Sequence, residues 1–198
     1  MNDLYARENL PENYAESEKI DLVKNKKQML LVNGLALVLA AALLFLGILI
    51  QPEGAENIFD FENNALLTAL KCLVLCACLF AYIVGHEAVH GAFMWYYSRK
   101  KPHFGLSFTY AYAGSEVYFA KRPYLVIALA PLVVWGVLLG VINLLVPADW
   151  FWVVWFIQLN NVSGAAGDLF VSVLMSKKPA DVLVQDTGTA MTVYLPKP

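Results

Sequence analysis

Four apolar stretches, each long enough to cross a hydrocarbon layer as a helix, dominate this sequence of 198 residues. They run near Gln28–Ile50, Ala65–Tyr97, Arg122–Val146 and Trp150–Ser176, and about 20 residues suffice for one crossing. No water is available at membrane depth to satisfy backbone polar groups, so such stretches must close their hydrogen bonds internally, as helices do. The apolar share of 59% exceeds the roughly 45–50% of soluble domains. The expected fold class is therefore an all-α integral membrane protein with four transmembrane helices. A net charge of −2 gives no sign of a nucleic-acid partner.

The first stretch is longer than the apolar core of a signal peptide, about 7–15 residues, and follows 27 mixed-charge residues, so it reads as a retained anchor. Basic residues flank the spans on one side: Lys24, Lys26 and Lys27; Arg99, Lys100 and Lys101 with Lys121 and Arg122; Lys177 and Lys178. The connections Gln51–Asn64 and Pro147–Asp149 carry acids and no Lys or Arg. By the retention of Lys and Arg in the cytoplasm, both termini are expected there. The chain divides into a cytoplasmic segment 1–27, a transmembrane domain 28–176 and a cytoplasmic tail 177–198. Cys72, Cys76 and Cys78 lie inside the second stretch, where they suit helix packing rather than a disulfide framework.

The second stretch also contains His86-Glu87-Ala88-Val89-His90. In a helix the two imidazoles share a face and can hold one Zn²⁺, while the Glu between them is placed to accept a proton from a water the ion activates. Ionisable groups at membrane depth are expensive and mark function. A catalytic zinc has three protein ligands and one open position, so His86 and His90 need a partner. The run Asn160 to Asp168 offers the only carboxylate of the fourth stretch. By helical period Asn161, Gly164 and Asp168 share one face, and the small residues suit close helix approach. Asp168 lies nine residues before Lys177 and His90 nine before Arg99, which puts both roughly 13 Å inside a cytoplasmic end.

The motifs Gly85-His86-Glu87-Ala88-Val89-His90-Gly91, Ala130-Pro131, Asn161 to Asp168 and Gln185-Asp186-Thr187-Gly188-Thr189 resemble those of the Putative zincin peptidase family of bacterial membrane proteins. That family is distantly similar to the site-2 protease intramembrane metalloproteases. The resemblance implies His86, His90 and Asp168 as zinc ligands, Glu87 as general base and a bacterial cytoplasmic membrane as location. Site-2 proteases carry Asn-x-x-Pro followed by Leu-Asp-Gly, whereas this chain has no such proline and reads Gly167-Asp168-Leu169. Asn160 has the site-2 spacing to the Asp, and Asn161 the better helical phase.

The expected activity is zinc-dependent cleavage of a peptide bond within or beside a membrane segment. A membrane protein or membrane-proximal peptide would be the substrate, and the bilayer the other partner. Glu87 would act as base, and Asn161 would hold an extended strand or stabilise the oxyanion. The competing classes are a non-catalytic metal-binding membrane protein, an ion or proton transporter, and a hydrolase of a lipid or small amide. Two non-helical pieces are expected on the cytoplasmic side. Phe104–Ala120 reads as a hairpin around Ala113-Gly114-Ser115, with Phe108, Tyr110, Tyr112, Tyr118 and Phe119 on its arms. It would serve as a substrate-pairing edge or as an interfacial anchor. Asp181–Leu195 reads as two short strands around Asp186-Thr187-Gly188. His103 reads as a solvated loop residue. Pro131 interrupts the third stretch and frees the carbonyl of Ile127, with a plain kink as the simplest result. Residues 1–27 receive no function.

Overall fold

A computed structural model describes residues 4–22, 24–53, 61–106 and 110–197. In chain order the elements are β1 (Ala6–Arg7), β2 (Tyr14–Ile20), α1 (Lys26–Ile50), α2 (Phe61–Ser98), β3 (His103–Leu106), β4 (Ala111–Gly114), β5 (Tyr118–Ala120), α3 (Lys121–Leu145), α4 (Ala148–Gly164), α5 (Ala166–Ser176), β6 (Leu183–Asp186) and β7 (Met191–Pro196). Their limits follow local chemistry. Asn25 Oδ1 accepts the backbone N–H groups of Lys27 and Gln28 at the start of α1. Asn64, non-helical at φ −149°, accepts the Leu67 N–H and starts the apolar length of α2. Both are side-chain caps of donors that a helix start leaves unpaired. The residue after α2, Arg99, has φ 57°, and its guanidinium lies over the rings of Trp95 and Tyr96.

The residues group into two compact units. The first comprises Met1–Val32, His86–Pro131 and Gly167–Pro198. Its frame is a five-stranded antiparallel sheet in the order β1-β5-β6-β7-β2. Segment 1–27, to which the sequence assigns no function, thus supplies both edge strands. On β7 Met191 and Val193 are buried while Thr192 and Tyr194 are only partly covered, the period-2 signature of a strand with one face on a core. That core gathers Phe119, Val182, Val184 and Val193 with Met94 of α2 and Ile127 of α3. Gly188 turns β6 into β7 at φ 77°, a left-handed conformation that glycine adopts without steric cost. The two strands expected in the tail are therefore observed, with the turn where it was expected.

The hairpin expected over Phe104–Ala120 requires correction. Its two strands are β3 and β4, paired His103↔Gly114 through Leu106↔Ala111, so Ala113-Gly114-Ser115 ends a strand rather than forming the turn. Tyr118 and Phe119 lie on β5 and pair with β1 and β6 in the other sheet; Phe108 lies outside the described residues. The glycine serves close approach instead of reversal. A Cβ on Gly114 would collide with the Thr187 carbonyl, and the adjacent Ser115 N–H donates to Asp186 O at 2.7 Å.

The second unit comprises Asn33–Gly85 and Leu132–Ala166. Its cores are aromatic: Trp152, Val153 and Trp155 form one, and Tyr82, Leu139, Val154 and Ile157 another. Trp155 Nε1 donates to Leu43 O and Trp152 Nε1 to Gln51 O, so these two indoles find acceptors. The Trp155 indole occupies the space that a side chain at Gly47 would take. Large apolar side chains such as Leu37, Val38, Phe45, Val137 and Leu144 stay exposed, a surface suited to lipid rather than water.

Three helices, α1, α2 and α3, are long and apolar enough to cross a membrane, which is compatible with a membrane protein. The fourth expected span is not one helix. It divides at Ala165 into α4 of 17 residues and α5 of 11 residues, so the helical phase that set Asn161, Gly164 and Asp168 on one face does not run through. Two glycines around an Ala-Ala pair weaken the helix there. A Cβ added at Gly164 would meet nothing among the described residues, so no helix presses on it.

Candidate metal centre

His86 and His90 project from the C-terminal third of α2 one turn apart, with Glu87 beside His86, so the imidazoles lie on one face. Their rings meet edge to face, with centroids 4.9 Å apart. Asp168 stands in the first turn of α5, where the positive end of the helix dipole favours a carboxylate. The break at Ala165 thus gives the carboxylate a helix start of its own. His86 Nε2 is 3.3 Å from Asp168 Oδ2, and His90 Nε2 is 3.6 Å from Asp168 Oδ1. One donor atom from each residue lies within 4.8 Å of the others.

These distances suit a metal. Tetrahedral zinc with bonds of about 2.0–2.2 Å holds its donors roughly 3.3 Å apart. Two imidazole nitrogens and one carboxylate oxygen also match a catalytic donor set, which leaves the fourth position to water. Glu87 is not a member of the donor cluster; the backbone amide of Ala113, on β4, faces its carboxylate.

Further groups support the cluster. His90 Nδ1 lies 2.9 Å from the Ile127 carbonyl, which accepts the Nδ1–H and leaves Nε2 turned to Asp168. A cavity of about 280 Å³ is lined by Asp168, Asp186, Tyr124, Leu22, Val171 and Gly188 among others. Tyr124 OH donates to Asp186 Oδ2 at 2.9 Å, and the Gly188 N–H donates to Asp186 Oδ1 at 2.9 Å. Burial raises the Asp186 pKa above the usual carboxylate range, against the opposing pull of these two donors.

The profile of the family described as Putative zincin peptidase matches residues 79–183. The chain belongs to this family. The matched region holds the whole His86–His90–Asp168 cluster, and zinc is the metal that a zincin implies. No curated protein and no solved structure matches this zincin-family chain.

The structure brings His86, His90 and Asp168 together and sets Glu87 beside them. Asn161 is fully buried on α4; its Oδ1 accepts from Tyr82 OH at 3.2 Å, and its Nδ2 donates to Leu132 O at 3.3 Å. Both ends of that amide are in use. His103 begins β3, is exposed, and has Nε2 3.2 Å from Thr187 O. The three cysteines are free thiols, with Cys76 and Cys78 exposed. Sequence reasoning did not find the Ala113 amide, because a backbone N–H carries no residue signature. It did not find Tyr124 as the partner of Asp186 either. The spacing Asp186-x-Gly188 was a visible turn signal, since an Asp carboxylate accepts from the backbone two residues on.

Proposed function

We propose that this zincin-family protein is a zinc-dependent peptidase that cleaves a peptide bond within or beside a membrane segment. One observation carries the reading: two imidazoles and a carboxylate at metal-binding distances, with a glutamate next to them that is not part of the donor set. A scaffold that only bound zinc would have no use for that glutamate. His86, His90 and Asp168 would hold the ion. Bound there, zinc supplies Lewis acidity toward a scissile carbonyl and toward water.

Glu87 accepts the proton of the attacking water and passes it to the leaving amine. The Ala113 amide orients the Glu87 carboxylate for this task. Strand β4 carries that amide close to the reacting groups, and an extended substrate segment would pair beside it by strand addition. Substrate helices would unwind first, since their carbonyls are tied up in intrahelical bonds. Asn161 has its amide committed to Tyr82 and Leu132, so in this reading it ties α4 to α2 and α3 rather than gripping substrate. The membrane placement belongs to the proposal too: α1, α2 and α3 cross, α4 and α5 together form a discontinuous fourth crossing, and both termini lie in the cytoplasm of a bacterial cell.

The test is Glu87→Gln in the detergent-purified full chain, incubated with a labelled library of transmembrane-type peptides. The expected result is cleavage by wild type, a loss of about 10²–10⁴-fold in the variant, and equal zinc content in both. Equal cleavage by both would overturn the assignment of the base. Zinc without cleavage would turn the reading to a non-catalytic metal protein, and proton flux in liposomes to a transporter.

A further inference from the structure

An α-helix pairs each carbonyl with the N–H four residues on, and the partner of the Ile127 carbonyl would be the N–H of residue 131. Residue 131 is Pro131, inside α3, and proline has no N–H. The orphaned acceptor is deep in the first unit, for Ile127 is only 1% exposed. A buried carbonyl without a donor is rare. Here the donor comes from another helix, as His90 Nδ1 lies 2.9 Å away.

We propose that Pro131 is a positioning residue for the metal centre: by removing the helical donor, it reserves the Ile127 carbonyl for His90 Nδ1–H and so holds Nε2 toward Asp168. The inference takes its ligand from the proposed zinc site, but the orienting bond stands on its own geometry. The other groups at His90 agree with it. His86 packs edge-on against the ring, Asp168 faces the Nε2 side and Glu87 acts on the imidazole through its charge, so among the described residues the Ile127 carbonyl is the group hydrogen-bonded at Nδ1. A helical N–H at 131 would compete along the helix axis and draw the carbonyl back into line, whereas proline lets it tilt outward.

Pro131→Ala supplies that N–H. Pro123→Ala is the control, because Pro123 lies in the first turn of α3, where helix N–H groups have no intrahelical acceptor. The first measurement is the His90 Nδ1–H resonance in ¹⁵N-histidine-labelled full chain in detergent, assigned with His86 and His103 variants. The bond to Ile127 O is made at the nitrogen that faces away from Asp168, so the readout needs no zinc. Wild type and Pro123→Ala should show it downfield and protected from exchange; Pro131→Ala should move it upfield and speed its exchange. The second is zinc affinity by chelator competition. We expect Pro131→Ala to bind zinc about 10–100-fold more weakly, as for other groups that orient a ligand, with a thermal midpoint equal to wild type or higher because a helical hydrogen bond is gained.

An unchanged resonance with unchanged affinity overturns the proposal. A fall in affinity that only follows a fall in thermal midpoint overturns it as well, since a merely structural proline behaves that way. If wild type takes up no zinc, the peptidase reading fails while the resonance still decides the role of Pro131.

Discussion

The two compact units differ in how fully their buried polar groups are paired. In the first, residues far apart in sequence meet in completed sets: His86 and His90 with Asp168, His90 with the Ile127 carbonyl, Asp186 with Tyr124 and Gly188. In the second, Tyr82, Asn161 and the Leu132 carbonyl form one chain. Trp135 Nε1, both ends of the Asn143 amide and Gln158 Oε1 are buried without a partner among the described residues. The first unit is not perfect, for Arg7 Nε and Ser172 Oγ also lack a partner among the described residues. Its frame is nevertheless a sheet with an alternating core, as in a water-soluble domain. The second has aromatic clusters inside and bulky aliphatic groups outside, as lipid-facing helices do. The cluster that could hold a metal stands in the unit with the strand-based frame, while the second unit is built from packed apolar helices.

The strongest way to break this comparison is to remove a donor from the first unit. His86→Ala and Asp168→Ala should each lower zinc, by elemental mass spectrometry, from about one per chain to near none, since three donors define such a site. Asn161→Ala, in the second unit, should leave zinc unchanged. Stoichiometry that survives either donor variant would dissolve the distinction.

Packing in the second unit gives a smaller effect. Gly47→Ala puts a methyl into the Trp155 indole, which should lower stability by about 1–3 kcal/mol and leave zinc affinity as it was. Asn161→Ala should cost a similar amount by stranding the Tyr82 hydroxyl and the Leu132 carbonyl. A drop in cleavage without that loss of stability would return Asn161 to the reaction.

The polar set of the first unit gives a more modest test. Tyr124→Phe removes a donor from Asp186 and should cost about 1–2 kcal/mol in thermal unfolding. The pH dependence sharpens it. Because the Asp186 pKa is raised on folding, the folded state binds its proton more tightly than the unfolded state. That contribution is full below the ordinary carboxylate pKa and is lost as pH rises through the raised folded value. Asp186→Asn should therefore flatten the decline of stability over that window; an unchanged slope would show that Asp186 does not titrate on folding.

The sequence reveals some of this directly. Apolar length marked three helices within a few residues of their limits, because caps at Asn25 and Asn64 are local chemistry. The i, i+4 histidines named one face of α2 without any tertiary contact. Other features were less visible. The fourth stretch read as one helix because its hydropathy is continuous, yet Gly164 and Gly167 allow a break that places Asp168 at a helix start. Gly114 read as a turn because the sequence does not record that the Thr187 carbonyl lies against it.

What the sequence by itself determined is the kind of protein: helices that suit a bilayer, and a two-histidine motif with a glutamate between them. Both follow from short-range periodicity, which a linear chain displays openly. The tertiary structure alone showed how near Asp168 comes to the two imidazoles, at 3.3 and 3.6 Å, that segment 1–27 joins the C-terminal strands in one sheet, and that the carbonyl Pro131 sets free lies against His90 Nδ1. These contacts join residues separated by dozens of positions. Their occurrence depends on distances of a few ångströms that only packing fixes, and no local pattern encodes them.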